Sequence, residues 1–155
     1  MAEIVNYIDI ISLISAKNYL KIDDDLTEDD LLIEQMINAA FIYLEKSTNH
    51  IFKTKTFTKH VNDGVIRIYN FPIISVTTVI LTETKANLHT TYCFAAQTPF
   101  VYIAGYEDTT EVPDDLIQAA LQIIKVWYYE SEKQVNSTLI PISVQQVLDQ
   151  YRRFL

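Results

Sequence analysis

The chain has 155 residues, enough for one domain with a proper core and too few for two substantial ones. Hydrophobic residues make up 49% and charged residues 21%, which excludes a disordered polymer; the formal charge of −8 works against binding DNA or an anionic membrane through the net field. The single Cys93 excludes an internal disulfide framework, no apolar run reaches bilayer length, and no basic-then-apolar leader opens the chain, so synthesis in a reducing cytoplasm is expected.

Ser12 is a plausible N-cap for a short helix from Leu13 to Leu20, with Leu13, Ala16, Tyr19 and Leu20 on one side. The acidic stretch from Lys21 to Leu26 breaks that pattern. Thr27 then caps a second helix running to about Ser47, with Glu28, Asp29 and Asp30 in a first turn where the dipole favours acids. Leu32, Met36, Ala40 and Leu44 recur at fourfold spacing, and Ile33, Ile37 and Phe41 form an adjoining stripe. Two stripes make an apolar face wider than a surface helix needs, so Ile33, Ile37 and Phe41 are candidates for a subunit interface.

From Ile51 to Ile103 the period changes to that of strands. Phe57–Val61 and Val65–Tyr69 read as a hairpin around Asn62-Asp63-Gly64. The β-branched run Val76–Leu81 reads as a third strand, and Thr84–His89 as an exposed loop. Thr91–Ala95 and Phe100–Ala104 read as a second hairpin around Gln97-Thr98-Pro99.

Pro113-Asp114-Asp115 opens the last long helix, proline near its first position and acids in its first turn. Leu116, Ala120, Ile123, Ile124 and Trp127 trace its apolar stripe, with Trp127 expected as a core anchor. Asn136 to Pro141 is polar and linker-like. Beyond it Val144, Val147, Leu148 and Tyr151 share one face of a terminal helix from about Ser143 to Arg153. A helix that short needs a surface to pack on, either its own core or a partner. The second choice makes these four residues, with Arg152 and Arg153, a candidate docking face. The domain organisation expected is a body over residues 1–135, followed by a linker and short docking helix over 136–155. The fold class expected is α+β and helix-rich: two long helices and short terminal helices packed with a small, mostly antiparallel β portion.

Constellations for chemistry do not emerge. His50, His60 and His89 sit at no metal-binding spacing, and Cys93 has no companion. Asp23-Asp24-Asp25 with Asp29 and Asp30 lacks the central glycine of a calcium loop. Glycines only at 64 and 105 preclude the glycine-rich phosphate loops and the GxSxG elbow. No catalytic, cofactor-binding or metal-binding residue is assigned, and the sequence does not read as an enzyme.

Charge is unevenly placed. Residues 1–45 hold Glu3, Asp9, Asp23, Asp24, Asp25, Glu28, Asp29, Asp30, Glu34 and Glu45 against Lys17 and Lys21, whereas residues 46–60 hold Lys46, Lys53, Lys55 and Lys59 and no acid. Such segregation suits either solvated loops and helix starts or an acidic face of one subunit meeting a basic face of the next.

Three stretches together resemble the head–tail connector (adaptor, head-completion) family of tailed double-stranded DNA bacteriophages. Leu13–Asp23, continued by Asp29–Ala40 and Tyr43–Lys46, is similar to the family's opening helix, turn and long second helix. Phe71-Pro72-Ile73-Ile74-Ser75-Val76 resembles its strand entry of the form P-x-x-S-V. Gly105-Tyr106, then Val112-Pro113-Asp114-Asp115-Leu116 and on to Trp127-Tyr128, resembles its Gly-Tyr and Val-Pro signature and the helix that follows. The stretches span roughly residues 11–132 in order, and Val144 to Arg153 resembles the closing segment. One departure is Asn49-His50, which stands where relatives often carry a Thr-Gly-Arg type of turn.

The resemblance implies a virion structural protein at the head–tail junction, made in the host bacterial cytoplasm. Its partners would be itself, in a dodecamer-like ring, the portal protein above, and a head-closure or tail protein below. DNA would pass through the ring without sequence-specific binding, and neither a membrane nor a cofactor is implied. Other readings left open by the residues are another phage head-closure or tail-completion protein, usually richer in β structure, and a cellular protein-binding module.

Overall fold

The computed structural model describes residues 6–61, 64–95, 99–131 and 140–152. The fold class is α+β, built from four α-helices and two three-stranded antiparallel sheets among the described residues. The chain divides into two compact units, one from Met1–Leu44 with Val112–Gln150, the other from Glu45–Glu111 with Tyr151–Leu155. The boundary expected at residues 135 and 136 falls outside the described residues.

In the helical unit, α1 (Leu13–Leu20) opens where expected, the Ser12 hydroxyl accepting from the Ser15 N–H at 3.2 Å. It closes on Lys21, which takes a left-handed conformation at φ 60°, so that the Lys21 and Ile22 N–H groups reach the Asn18 and Lys17 carbonyls. The second helix, α2 (Asp30–Thr48), starts two residues later than a Thr27 cap would dictate. The reason lies in α1. Lys17 is only 2% exposed, and its ammonium spends its donors on the Asp24 carbonyl (2.9 Å), the Leu26 carbonyl (2.6 Å) and the Asp30 carboxylate (2.9 Å). A buried ammonium needs such partners, and Asp30, the first residue of α2, is one of them.

The long helix α3 (Asp114–Ser131) packs against α1, and Pro113 supplies the carbonyl that accepts its first N–H groups. Leu116, Ala120, Ile123 and Ile124 are buried as their period predicts. Trp127 is only half-buried, so it is not the deep anchor expected from its place at the end of the stripe. The neighbouring tyrosines tie that end of the helix to the loop before α2. Tyr128 donates to the Asp29 carboxylate at 2.6 Å, and Tyr129 donates to the Leu20 carbonyl at 2.5 Å. The terminal helix α4 (Ile142–Tyr151) has Val144 and Leu148 fully buried, and Ser143 meets Gln122 of α3 at 2.7 Å.

In the β unit, β1 (Lys55–His60) and β3 (Ile73–Val76) flank β6 (Pro99–Ala104), while β2 (Val65–Ile68) and β4 (Ile80–Lys85) flank β5 (Thr90–Phe94). Both expected hairpins are therefore wrong in pairing, though their strands are right. β1 and β2 lie in different sheets, and so do β5 and β6; residues 62–63 and 96–98 are not among the described ones. The physical reason is the core. Ile66, Ile68, Tyr92 and Phe94 of one sheet share a buried cluster with Phe100, Tyr102 and Ala104 of the other. Hairpin pairing would set these apolar faces side by side, whereas changing sheets sets them face to face.

The expected strand Val76–Leu81 is likewise two strands. At the crossing the Thr78 hydroxyl accepts the Val101 N–H (2.8 Å) and donates to the Pro99 carbonyl (3.0 Å), replacing a ladder that would otherwise continue. The expected loop at Thr84–His89 is shorter, because β4 runs to Lys85 and the hairpin closes through the Ala86 N–H on the His89 carbonyl.

Two positions quoted for the family resemblance have plain physical reasons. Gly105 sits at φ 129°, and a Cβ there would lie 2.6 Å from the Lys53 carbonyl, so no other residue fits without moving backbone. Asn49, at the departure from the family's turn, takes φ 59° and ends α2 as a glycine would, its N–H on the Glu45 carbonyl.

Candidate assembly surfaces

Five of the nine residues singled out for an interface are buried within the chain itself. Ile33, Ile37 and Phe41 are 0% exposed, and Phe41 stacks on Tyr7 at 5.2 Å. They belong to the chain's own core, and a second subunit could reach them only by opening the helical unit. The wide apolar face of α2 is wide because Tyr7 and Ile11 of the N-terminal segment are buried in this unit as well. Val144 and Leu148 are also fully buried within the chain. Of the remaining candidates, Val147 is half-buried and Tyr151 lies edge-on to His50 at 5.1 Å, while Arg152 is exposed and Arg153 lies outside the described residues. His50 itself is buried between Phe71 and Tyr151, a packing role.

The apolar side chains that do face solvent are others. In the helical unit Leu26 is 56% and Leu31 68% exposed, beside the exposed acids Asp23, Asp24, Asp25 and Glu28. In the β unit Val79 is 81% and Leu81 70% exposed, at the start of a β4–β5 hairpin whose tip, through Leu88, is exposed throughout. Sequence periodicity missed Leu31 because residues 31–33 of α2 are all apolar, and hydropathy cannot choose which of three adjacent aliphatics turns outward.

The β unit also has an open groove of about 400 Å³, lined by Ile73, Val76, Ile80 and Tyr92 with Glu83 and Lys85. Its one buried ionisable group is unsuited to proton transfer near neutrality. Burial, reinforced by the Glu83 carboxylate 3.4 Å away, pushes the Tyr92 hydroxyl up to about 12. Burial alone does the same to Tyr102, whose hydroxyl donates to Asn70 at 2.6 Å. Among the described residues no cluster of histidine, cysteine and carboxylate side chains is arranged to hold a metal ion, and no helix is long and apolar enough to cross a membrane.

Exposed aliphatics beside segregated charge are surface features that suit contact with other proteins. The chain belongs to the phage gp6-like head-tail connector protein family, whose model matches residues 10–155, and its role is that of a virion connector. No curated protein matches it. Among solved structures it is similar to a chain of the neck of an empty GTA particle computed with C6 symmetry. That pair has a TM-score of 0.72 at 15% identity, over 94% of this chain and 91% of the other. A chain in the virion of a native gene transfer agent (GTA) particle gives 0.70 at 14% identity, again over 94% and 91%. One from the neck of a native GTA particle computed with C12 symmetry gives 0.64 at 15%, over 100% and 96%. At these identities the likeness is one of fold.

Proposed function

We propose that copies of this chain form a closed ring at the head–tail junction of a phage-type particle, seated beneath the portal protein. There the ring extends the DNA channel and presents a docking surface to the next head-closure or tail protein. The role is structural, with no catalytic step and no cofactor. Family membership over residues 10–155 is the observation that carries this reading. The likeness in fold to neck chains from particles computed with C6 and C12 symmetry supports a dodecamer-like arrangement. The formal charge of −8 suits a channel through which DNA slides, since lysine-lined walls would hold phosphates by counterion release.

The test is direct. The purified protein is followed by light scattering and negative-stain imaging across a wide concentration range, alone and with purified portal rings. Rings, alone or on the portal, are the expected result. A strict monomer that also fails to join portal rings overturns the proposal.

A further inference from the structure

A closed ring of identical subunits is held by heterologous contacts: one patch on each copy meets a different patch on the next. Each subunit must then carry two complementary surfaces, and this chain carries two of opposite charge. The first is the loop between α1 and α2. Its backbone is held by Lys17 from within, and Tyr128 and Tyr129 fasten its two ends from α3. Asp29 and Asp30 are taken up by Tyr128 and Lys17, which leaves the carboxylates of Asp23, Asp24, Asp25 and Glu28 facing solvent with no ion-pair partner among the described residues. Leu26 and Leu31 stand exposed beside them. An acidic, partly apolar knob with a fixed backbone loses little entropy on docking.

The second surface is the basic stretch from the last turn of α2, which carries Lys46, through β1, which carries Lys59. Lys55 is committed to Glu45 at 2.7 Å, while Lys46 and Lys59 are exposed and make no ion pair among the described residues. Lys59 lies four residues from Lys55 along β1, about 13 Å at strand rise, and β1 is an edge of its sheet. In a chain of net charge −8 an assembly of like subunits repels itself unless acids meet bases across the contact.

We infer that in the ring the acidic α1–α2 loop of one copy, with Leu26 and Leu31, docks on the Lys46 and Lys59 segment of the next copy. This rests on the ring proposed above and names the contact that closes it. Opposite charges set the register of the contact, and the two leucines supply apolar area at its centre.

Charge reversal tests it. Asp24→Lys with Asp25→Lys, and separately Lys46→Glu with Lys59→Glu, alter exposed side chains and should leave circular-dichroism melts unchanged. Each pair should lower the yield of rings about tenfold or more. A chain carrying all four substitutions should recover rings, because every contact then pairs a reversed loop with a reversed segment. Raised salt should weaken wild-type rings. If wild-type rings form and either pair of substitutions leaves them intact, or the fourfold variant is no better than the pairs, the docking is overturned while the ring reading stands. If the acidic-loop variant still forms rings but no longer joins the portal, the loop faces the portal protein and the inference is overturned. Absence of wild-type rings under any condition, including on the portal, removes both.

Discussion

The helical unit takes a full charge inside, whereas the β unit sets two tyrosine hydroxyls at the margin of a core of packed aromatic rings. Lys17, 2% exposed, holds the acidic loop from beneath by two backbone carbonyls and one carboxylate. In the β unit Phe100 lies within 5.0–5.8 Å of the rings of Phe94, Tyr92 and Tyr102, and the tyrosine hydroxyls point out to Glu83 and Asn70. One unit therefore owes the shape of an exposed loop to a single ammonium, and the other owes the alignment of two sheets to apolar area. The first should respond to loss of a charge, the second to loss of a ring.

Phe100→Ala removes the ring shared by both sheets and should cost about 3–5 kcal/mol in urea unfolding, as large aromatic truncations do in cores. A loss well below that range would show that the sheets do not depend on a common core. Leu148→Ala should cost about 2–4 kcal/mol, because its side chain is fully buried within the chain. A neutral result there, with particle incorporation lost, would return α4 to the role of a helix ordered only by a partner. Lys17→Met should cost about 2–3 kcal/mol: breaking a buried pair is expensive, but Asp30 is 27% exposed and can turn to water. Its signature is faster proteolysis within residues 21–30 with the β unit unaffected; uniform sensitivity along the chain would refute the local role.

Trp127→Ala, at a half-buried site, should cost only about 1–2 kcal/mol, less than a deep aromatic position would. The smallest effect concerns pH and belongs to the β unit. Tyr92 and Tyr102 have folded-state values near 12 against 10 for the free hydroxyl, so the folded form holds its protons longer. Their contribution is full below pH 10 and is lost as pH climbs from 10 towards 12. Tyrosinate absorbance should show these two ionising well above pH 10, together with β-unit unfolding; their ionisation near pH 10 without unfolding would contradict their burial.

Much of the helical unit was legible because its signals are local. The Ser12 cap, the Pro113 start and the stripe from Leu116 to Ile124 depend on neighbours within a turn, and α1 and α3 appear where those residues place them. The candidate interface was far less legible. Ile33 and Leu31 are both aliphatic residues of α2, yet one is fully buried and the other mostly exposed, a difference that hydropathy alone does not carry. Nothing in the sequence around Lys17 marks it as buried.

By itself, then, the order of residues determined where the helices and most of the strands run, the absence of a glycine-rich phosphate loop or metal-binding spacing, the segregation of charge, and the family resemblance, all features that read along the chain. Tertiary structure alone decided which strands pair, that β1–β2 and β5–β6 change sheets, that Val144 and Leu148 are buried in the chain, and which leucines face outward. The reason is that alternation and helical period report which faces of an element are apolar. Which apolar face covers which is set by contacts between residues far apart in the chain, and many pairings satisfy the same local pattern.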